Sequence, residues 1–313
     1  MKSIQIRKLN CESVIILPVL SKSLPIKLVF AFSALLLMAG CKAKPGLEGA
    51  PSQVETQLPT PTEAPMAARV NGKGILLSDY EAELNRFQTG MTELGAEYVP
   101  SDAARLVLDE MTNQVLLAQA AKALGFSADE AAVQARLSEL AAEAGGEENL
   151  DAWISSNFYT EESFRRALVL DMAVVWMRNK IVSETPQVAD QVRAHQILVT
   201  NENEAIAVER QLQVGKDFET LAFEYDPLTG GDLSWFPAGY LLQPDVEKAA
   251  FSLQPGQYSG IIPTAYGFHI VYVVERDNQH PLSPEALLFM QHQALDKWLA
   301  ERRAQSAIEI LVP

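Results

Sequence analysis

Apolar residues recur every three or four positions between residues 78 and 184, a spacing that predicts amphipathic helices. One long helix is predicted from Asp102 to Leu124, with Gly125 at its end. Another is predicted to start at Thr160. Their apolar stripes are Leu108, Met111, Val115 and Ala118 in the first helix, and Phe164, Leu168, Met172 and Val175 in the second. We therefore predict an all-helical module over residues 78–184, within a mainly helical domain that spans 67–186.

Shorter elements surround the two long helices. Further helices are predicted from Ser78 to about Thr89, from a capping box at 127–130 to Gly145, and at about 148–155. Before them, Asn71-Gly72 is a strong hairpin signal within residues 68–75. The chain ends with strand-like residues at 308–311, and we predict that this segment pairs with 68–75.

The pattern changes after Pro186. Stretches rich in β-branched and aromatic residues now alternate with short helical segments and glycine-rich turns. The predicted order over residues 190–277 is a strand at 192–199, helices at about 202–214 and 218–225, a glycine-rich loop, a helix at about 245–250, and strands at about 257–262 and 268–275. Pro284 then introduces a last helix to about Ala304. The predicted class is α+β.

The first forty residues have the pattern of an export signal. Basic residues precede an apolar run from Leu28 to Met38, which is too short for an ordinary membrane span. Small residues then lead into Cys41. We predict a bacterial lipoprotein signal over residues 1–40, with the lipid on Cys41; an uncleaved anchor or a plain secretory signal is the alternative. Residues 41–66, rich in Pro, Thr, Glu and Gln, are predicted to form a flexible linker.

Composition narrows the possible partners. The chain has 313 residues, a formal net charge of -15 and 48% hydrophobic residues, which is enough apolar content for a packed core. The acidic balance argues against a nucleic-acid partner, which would require a basic surface. Of the two cysteines only Cys41 remains once residues 1–40 are removed, so the mature chain has no internal disulfide.

The candidate chemistry lies in two distant segments that each place one histidine in a strand-like stretch. These histidines are His195 and His269, and Gly230 to Leu233 lie between them. We expect the two imidazoles to meet in one pocket, with no nucleophile obviously beside them, which favours a reaction without a covalent intermediate. A zinc site needs three or more ligands, and the other two histidines show no ligand spacing, so no metal is predicted.

With their neighbours, these segments resemble a parvulin-type (PpiC) peptidyl-prolyl cis-trans isomerase domain over residues 190–277. The order of lipoprotein signal, helical module, parvulin domain and C-terminal helix is similar to exported foldases of the PrsA and SurA type. The resemblance implies a helical chaperone-like module, an α/β domain with an antiparallel sheet flanked by helices, and a C-terminal segment, 281–313, whose helix packs on the helical module. The matching residues are Ala194 to Val199, Gly230 to Leu233, Gly239 to Leu241, Ala249 to Phe251, Gly256, and Thr264 to His269.

The resemblance also implies the site residues. His195 and His269 would lie at the floor of the site, hydrogen-bonded to each other or to neighbours, and would order the site without attacking a bond. Asp226 matches a position where the family has Cys or Asp; it is equally well explained as a turn residue, because Asp-Pro favours turns. No cofactor is implied. The implied proline-binding residues are Leu233, Leu241, Val246, Phe251, Thr264 and Tyr266.

The predicted function is isomerisation of X-Pro bonds in unfolded or exported polypeptides, by an extracytoplasmic folding factor held at the cell membrane or outer membrane through its lipid. Rotation about this amide meets a barrier of roughly 18–20 kcal/mol, so catalysis needs a site that binds the twisted amide best. Two alternatives stay open. A weakly active or inactive holdase is suggested by Val246, where the family usually has Phe, and by the short loop after Asp226. The other is a dedicated assembly factor for an envelope export system.

Overall fold

The computed structural model describes residues 64–312. The predicted signal and Cys41 lie outside these residues, as does most of the predicted linker. Within the described range, no helix combines the length and the apolar character needed to cross a membrane. Internal contacts divide the described chain into two units. Unit 1 consists of residues up to 112, 129–168 and the residues from 307 onward, and unit 2 of 113–128 and 169–306.

Strands and helices follow the predicted order in most places. The strands are β1 (Met66–Val70), β2 (Lys73–Leu76), β3 (Val188–Val199), β4 (Asp232–Pro237), β5 (Ile262–Thr264), β6 (Gly267–Pro281) and β7 (Ile308–Ile310). The helices are α1 (Leu77–Glu93), α2 (Pro100–Ala123), α3 (Glu130–Ala144), α4 (Glu147–Ser156), α5 (Glu161–Ser183), α6 (Glu202–Gln213), α7 (Phe218–Tyr225), α8 (Pro244–Ser252) and α9 (Pro284–Ala304).

In unit 1, the two ends of the described chain meet in one small sheet of order β2-β1-β7. Asn71 adopts the left-handed conformation with a φ of 51°, which is what a tight Asn-Gly turn requires. Its side-chain Oδ1 also accepts a hydrogen bond of 2.9 Å from the Ala307 amide. β7 pairs antiparallel with β1, with Ala68 opposite Ile310. The predicted pairing of 308–311 with 68–75 is confirmed.

Two helices of unit 1 depart from prediction at their ends. Helix α1 begins after Leu76 with no side-chain cap, and it runs to Glu93 instead of about Thr89. Helix α3 begins after Asp129, whose carboxylate accepts a hydrogen bond from the Ala132 amide, so the expected capping box at 127–130 is replaced by a single Asp cap. Asp is as good an N-cap as Ser, and Asp129 lies two residues closer to Val133, the first buried residue of the helix. Gly145 ends α3 in the left-handed conformation, as expected.

In unit 2, the C-terminal helix packs on the last turns of α2 and on α5. Leu295 and Leu299 of α9 are buried in this cluster, which confirms the expected docking of the C-terminal helix on helical residues. The predicted stripe of α5 drifts, however, because Val175 is 39% exposed. An α-helix repeats at 3.6 residues per turn, and the buried positions move to neighbouring residues along α5. The buried residues of α5 in this cluster are Ala173, Val174, Met177 and Ile181.

The second part of unit 2 is an antiparallel four-stranded sheet of order β4-β3-β6-β5. Strand β4 was expected to be a loop, because the glycines before it and Ser234 within it, with a φ of 56°, hide the strand pattern. The strand expected at 257–262 is wrong. Backbone hydrogen bonds join Gly256, Gln257 and Ser259 to β6 around an isolated bridge from Tyr258 to Tyr272, but no continuous strand forms, and the edge strand β5 starts at Ile262. The fold class, a helical module with an antiparallel parvulin-like sheet and flanking helices, is confirmed.

Each face of this sheet has its own core. One face, here called the α6/α7 face, packs Ile197 and Ile270 against helices α6 and α7. The opposite face, here called the α8 face, packs Ala194 and Val271 against α8 and the Phe236 ring of β4. Successive side chains of a strand point to opposite faces, so the position of a residue in β3 or β6 decides which core it joins.

Candidate active site

His269 is buried on the α8 face, where it is 2% exposed. Its Nδ1 lies 2.9 Å from Oε1 of Gln196 on the neighbouring strand β3. Its Nε2 lies 3.0 Å from the hydroxyl oxygen of Thr264 at the end of β5. Burial lowers the pKa of His269 from 6.5, because an apolar environment disfavours the charged imidazolium. Both ring nitrogens are therefore held by side chains while the ring stays neutral.

His195 lies on the other side of the sheet. It pairs with Tyr272, whose ring stacks at 5.1 Å on Phe218 in the α6/α7 core, whereas His269 pairs with Leu198. Nδ1 of His195 is 2.9 Å from the Gly230 carbonyl oxygen. The expectation that the two imidazoles meet is wrong, because positions 195 and 198 of one strand differ by an odd number and so point to opposite faces. The catalytic role of His195 stays a prediction.

Gln196 occupies the position that His195 was expected to fill, and it was missed as a site residue. The sequence alone does not show this, because the face that each residue of β3 occupies depends on the register of β3 with β6; once the Leu198–His269 pair is known, residues on the same face follow in steps of two. Applied to β3 and β6, that count places Gln196, not His195, on the same face as His269.

The glycine pair before β4 holds Gln196 in place. The Gln196 amide donates a hydrogen bond of 2.8 Å to the Gly231 carbonyl oxygen. Gly231 has a φ of 65°, and a Cβ added there would lie 1.8 Å from the Gln196 carbonyl oxygen. Only glycine permits this approach of two backbones, so the Gly-Gly-Asp segment has a steric reason in this structure.

The hydrogen bonds of the Asp226 side chain stabilise the loop that contains this residue. Its carboxylate accepts hydrogen bonds from the amides of Leu228 at 3.1 Å and Gly231 at 3.3 Å, and from the Thr229 amide and hydroxyl. The hydrogen bond from the Thr229 side chain is the main reason that the pKa of Asp226 is lowered. These bonds all stay within the loop 226–231, and they favour the turn interpretation of Asp226 over an approach to a histidine.

The expected proline-binding residues separate into three groups. Thr264 joins His269 directly, and Tyr266 donates its amide to the Thr264 hydroxyl at 3.1 Å while its ring is 68% exposed. Leu233 and Leu241 are half-buried at the edge of the α8-face core. Val246 is only 2% exposed within that core and contributes to packing there.

Phe251 lies away from the His269 end of the sheet. Its ring contacts Phe236 edge-on at 6.0 Å, and Arg276 lies 5.6 Å above its centroid. Arg276 pairs with Val192, six strand positions from the Leu198–His269 pair, which is about 20 Å along a strand. Phe251 therefore packs on the core, and its contact with a proline stays a prediction.

The loop between β4 and α8 is tied down from two sides. Glu247 of α8 accepts hydrogen bonds from the amides of Gly239 at 2.6 Å and Leu241 at 2.9 Å. The Tyr240 ring contacts Phe289 of α9 edge-on at 5.3 Å. These contacts fix the backbone that presents Leu241. Among residues 64–312, no group of three His, Cys, Asp or Glu side chains is arranged to hold a metal ion.

The structure has the features of a parvulin-type domain. They are an antiparallel sheet with α6, α7 and α8 on its faces, a Gly-Gly-Asp-Leu turn and a buried His-Thr pair. Residues 182–275 match the family model of the PPIC-type PPIASE domain. Residues 28–168 match the model of the SurA-like N-terminal domain. The chain thus combines a PpiC-type peptidyl-prolyl isomerase domain with a SurA-like N-terminal domain.

Similar proteins carry the names of foldases and chaperones. The chain is 31% identical over 169 residues to the foldase protein PrsA of Geobacillus sp. (strain WCH70), a match that covers 49% of this chain and 59% of the relative. It is 33% identical over 120 residues to the chaperone SurA of Burkholderia thailandensis, a match that covers 34% of this chain and 27% of that relative. The crystal structure of PrsA from Bacillus cereus is 21% identical, covers 78% of this chain and 88% of that one, and has a TM-score of 0.43. The chain spans about half the length of the PrsA relatives it matches.

Proposed function

We propose that this protein catalyses cis-trans isomerisation of X-Pro bonds and that the α8 face around His269 is its active site. The observation that carries the proposal is the hydrogen-bonded chain Gln196–His269–Thr264, next to the exposed Tyr266 whose amide is bonded to Thr264, in a PpiC-type domain. The cis and trans forms differ by only about 0.5–1 kcal/mol, so the rotation barrier is what the site must lower.

The geometry suits that task. The half-buried Leu233 and Leu241, with the Tyr266 ring, offer apolar surface for the proline ring. Partners on both ring nitrogens of His269 fix a polar floor whose dipoles do not need to reorganise while the amide twists. No bond is made to the substrate and no proton leaves it, because rotation needs only a site that binds the twisted amide more tightly than either planar form.

A protease-coupled assay with a chromogenic prolyl peptide tests the activity. We expect a rate above the uncatalysed background that rises in proportion to the protein concentration. Leu241→Ser should lower kcat/KM about 10-fold, because burial of one Leu side chain contributes roughly 1.5–3 kcal/mol. Leu242→Ser is the matched control, because Leu242 is next to Leu241 in the sequence but is itself 91% exposed. It should keep the wild-type rate. A rate equal to background would overturn the proposal.

A holdase that binds extended chains without isomerising them is the second candidate. Two observations favour it: Asp226 is committed to its own loop, and Val246 is buried in the core. Suppression of client aggregation together with a background isomerisation rate would support the holdase. Suppression of only one exported client among several would instead support a dedicated assembly factor.

We further propose that the protein acts outside the cytoplasm, on unfolded exported polypeptides. The names foldase and chaperone among its relatives support this, as does the export signal of its sequence. Anchoring through a lipid on Cys41 belongs to the same proposal. Labelled-lipid incorporation in cells is expected for the wild type and not for Cys41→Ser; incorporation that survives the substitution would refute it.

The proposed domain organisation is that of the sequence analysis: a signal at 1–40, a linker at 41–66, a chaperone-like helical domain at 67–186, the parvulin domain at 190–277 and a C-terminal segment at 281–313. Limited proteolysis tests it. We expect early cleavage between 41 and 66 and between 186 and 190, and a protected fragment that contains 190–277. Preferential cleavage inside 190–277 would contradict this division.

A further inference from the structure

We propose that Gln196 is the positioning residue of this site: its carboxamide oxygen holds the Nδ1–H group of His269 and thereby selects a single neutral tautomer of the ring. The inference deepens the proposed isomerase function and rests on it for its catalytic meaning. It replaces the expected pair of imidazoles by one imidazole and one carboxamide.

The hydrogen-bond roles follow from the donors and acceptors present. A carboxamide oxygen can only accept, so Nδ1 of His269 must carry the proton in its 2.9 Å contact with Oε1 of Gln196. A neutral imidazole then has a bare Nε2, which needs a donor. The Thr264 hydroxyl oxygen lies 3.0 Å from Nε2 and 3.2 Å from the Gly267 carbonyl oxygen, and it accepts the Tyr266 amide at 3.1 Å. Its single proton supplies the donor when it is directed to Nε2, the nearer of the two acceptors.

The backbone fixes Gln196 well enough for this role. Its amide is bonded to the Gly231 carbonyl oxygen at 2.8 Å, and it pairs with Val271 in the centre of the sheet. Gly231 approaches so closely that no side chain fits between the two backbones. A half-buried side chain on so rigid a strand loses little further freedom when it binds the ring, which is the condition for accurate positioning.

A carboxamide differs from a second imidazole in one important respect. It neither gains nor loses a proton in the physiological range, so it cannot share a titration with His269. The other titratable side chains nearby face elsewhere: His195 lies on the α6/α7 face, Asp232 points to His195 at 4.0 Å, and Asp226 is bonded within its loop. Burial is accordingly the cause of the lowered pKa of His269.

Nitrogen NMR of the imidazole in the free protein tests the positioning without any need for activity. We expect wild-type His269 to show one tautomer, with the proton on Nδ1. Gln196→Met keeps the length of the side chain but removes the acceptor, and should give a mixture of tautomers. Leu198→Met is the matched control, because Leu198 pairs with His269 and offers no hydrogen bond, and it should keep the wild-type spectrum. A spectrum unchanged by Gln196→Met would overturn the proposal.

Gln196→Glu provides the second readout. A carboxylate at position 196, next to Nδ1 of His269, stabilises the imidazolium, so the pKa of His269 should rise by about one unit or more. The acid limb of the pH–rate profile should move to higher pH by the same amount. Gln196→Met should lower the isomerisation rate about 10- to 100-fold through loss of alignment. An unmoved pKa in Gln196→Glu would contradict the inference. Tautomer and pKa shifts as expected, in a protein without isomerase activity, would refute the proposed function alone and leave the positioning role supported.

Discussion

The α8 face and the α6/α7 face of the parvulin sheet each contain one histidine, and the two rings have different kinds of partner. On the α8 face, His269 is bonded to two side chains, Gln196 and Thr264, and the Thr264 hydroxyl accepts the amide of the exposed Tyr266. On the α6/α7 face, His195 is bonded to the Gly230 carbonyl oxygen of a loop and stands beside a core of aliphatic and aromatic residues. In the proposed function the first arrangement faces the substrate, whereas the hydrogen bond of His195 joins it to the loop before β4.

That contrast shows that two histidines of one family motif can have different hydrogen-bond partners on opposite faces of a sheet. The glycine pair links the two faces, because the Gly230 carbonyl oxygen holds His195 while the Gly231 backbone holds Gln196. Changes at the link should affect both faces, and changes on one face should affect that face alone.

The largest effect is expected from Gly231→Ala. The added Cβ would lie 1.8 Å from the Gln196 carbonyl oxygen, at a φ that L residues rarely adopt. Overpacking and backbone strain together should cost about 3 kcal/mol or more of unfolding free energy. Urea unfolding measures this loss. Gly256→Ala is the control, since its φ is also positive, at 87°, with no atom within 4 Å of the added Cβ. Equal losses in both variants would show that the backbones do not meet as described.

Glu247→Ala should affect the α8 face alone. It removes the acceptor of the Gly239 and Leu241 amides, and hydrogen bonds to a charged group contribute roughly 1.5–3 kcal/mol. We expect about 2 kcal/mol less stability and a higher KM, because the backbone that presents Leu241 loosens. Asp245→Ala, an acidic residue in the same first turn of α8, should change stability by less than about 0.5 kcal/mol. Similar losses of stability in Glu247→Ala and Asp245→Ala would mean that the effect comes from the helix dipole and not from the two hydrogen bonds.

The buried ring on the α8 face should make stability depend on pH. The pKa of His269 is lowered by folding, so the unfolded chain binds more protons than the folded one below pH 6.5. The stability contributed by the neutral ring is complete above that pH and is lost as the pH falls. As the pH falls below 6.5, the unfolding free energy of the wild type should decrease relative to that of His269→Asn by at most about 1.4 kcal/mol per pH unit. A difference between the two proteins that stays constant with pH would contradict burial of a neutral ring.

The smallest effect is expected at Ser234 in β4, which has a positive φ of 56°. Glycine adopts this conformation without steric cost, so Ser234→Gly should raise the unfolding free energy by about 0.5–1 kcal/mol. Thermal unfolding should show the gain, with isomerase activity unchanged on the α8 face. A destabilised Ser234→Gly protein would show that the serine side chain contributes more than its backbone strain costs.

Local patterns in the sequence predict most of the fold. Capping residues and apolar periodicity locate the helices, and Asn71-Gly72 with the apolar 308–311 segment correctly predicts the pairing of the two ends. The sequence does not predict β4, because a bulge in its pairing with β3 and a positive φ at Ser234 interrupt the alternation of apolar and polar residues. The segment expected as a strand at 257–262 is hydrogen-bonded to β6 through Gln257 and Ser259 around the Tyr258 bridge, but it does not form a continuous strand.

The site is less predictable than the fold. His269 and Thr264 follow from the motif, but the exchange of His195 for Gln196 depends on which face of β3 each residue occupies, and that is set by the register with β6. Burial of Val246 and Phe251 in the core likewise depends on tertiary packing, which a single sequence does not encode locally. Asp226 could be read as a turn residue or as a site residue until its hydrogen bonds were known.

The central claim is that the α8 face, and not the α6/α7 face, carries the chemistry. Exchange NMR on an X-Pro peptide measures isomerisation directly, and the same substitution can be made at both histidines. His269→Asn should slow the exchange about 100-fold, because the polar floor is lost. His195→Asn should stay within about 3-fold of the wild type, because an asparagine amide can still donate to the Gly230 carbonyl oxygen. An equal loss in two folded variants, or a larger loss from His195→Asn, would contradict the claim.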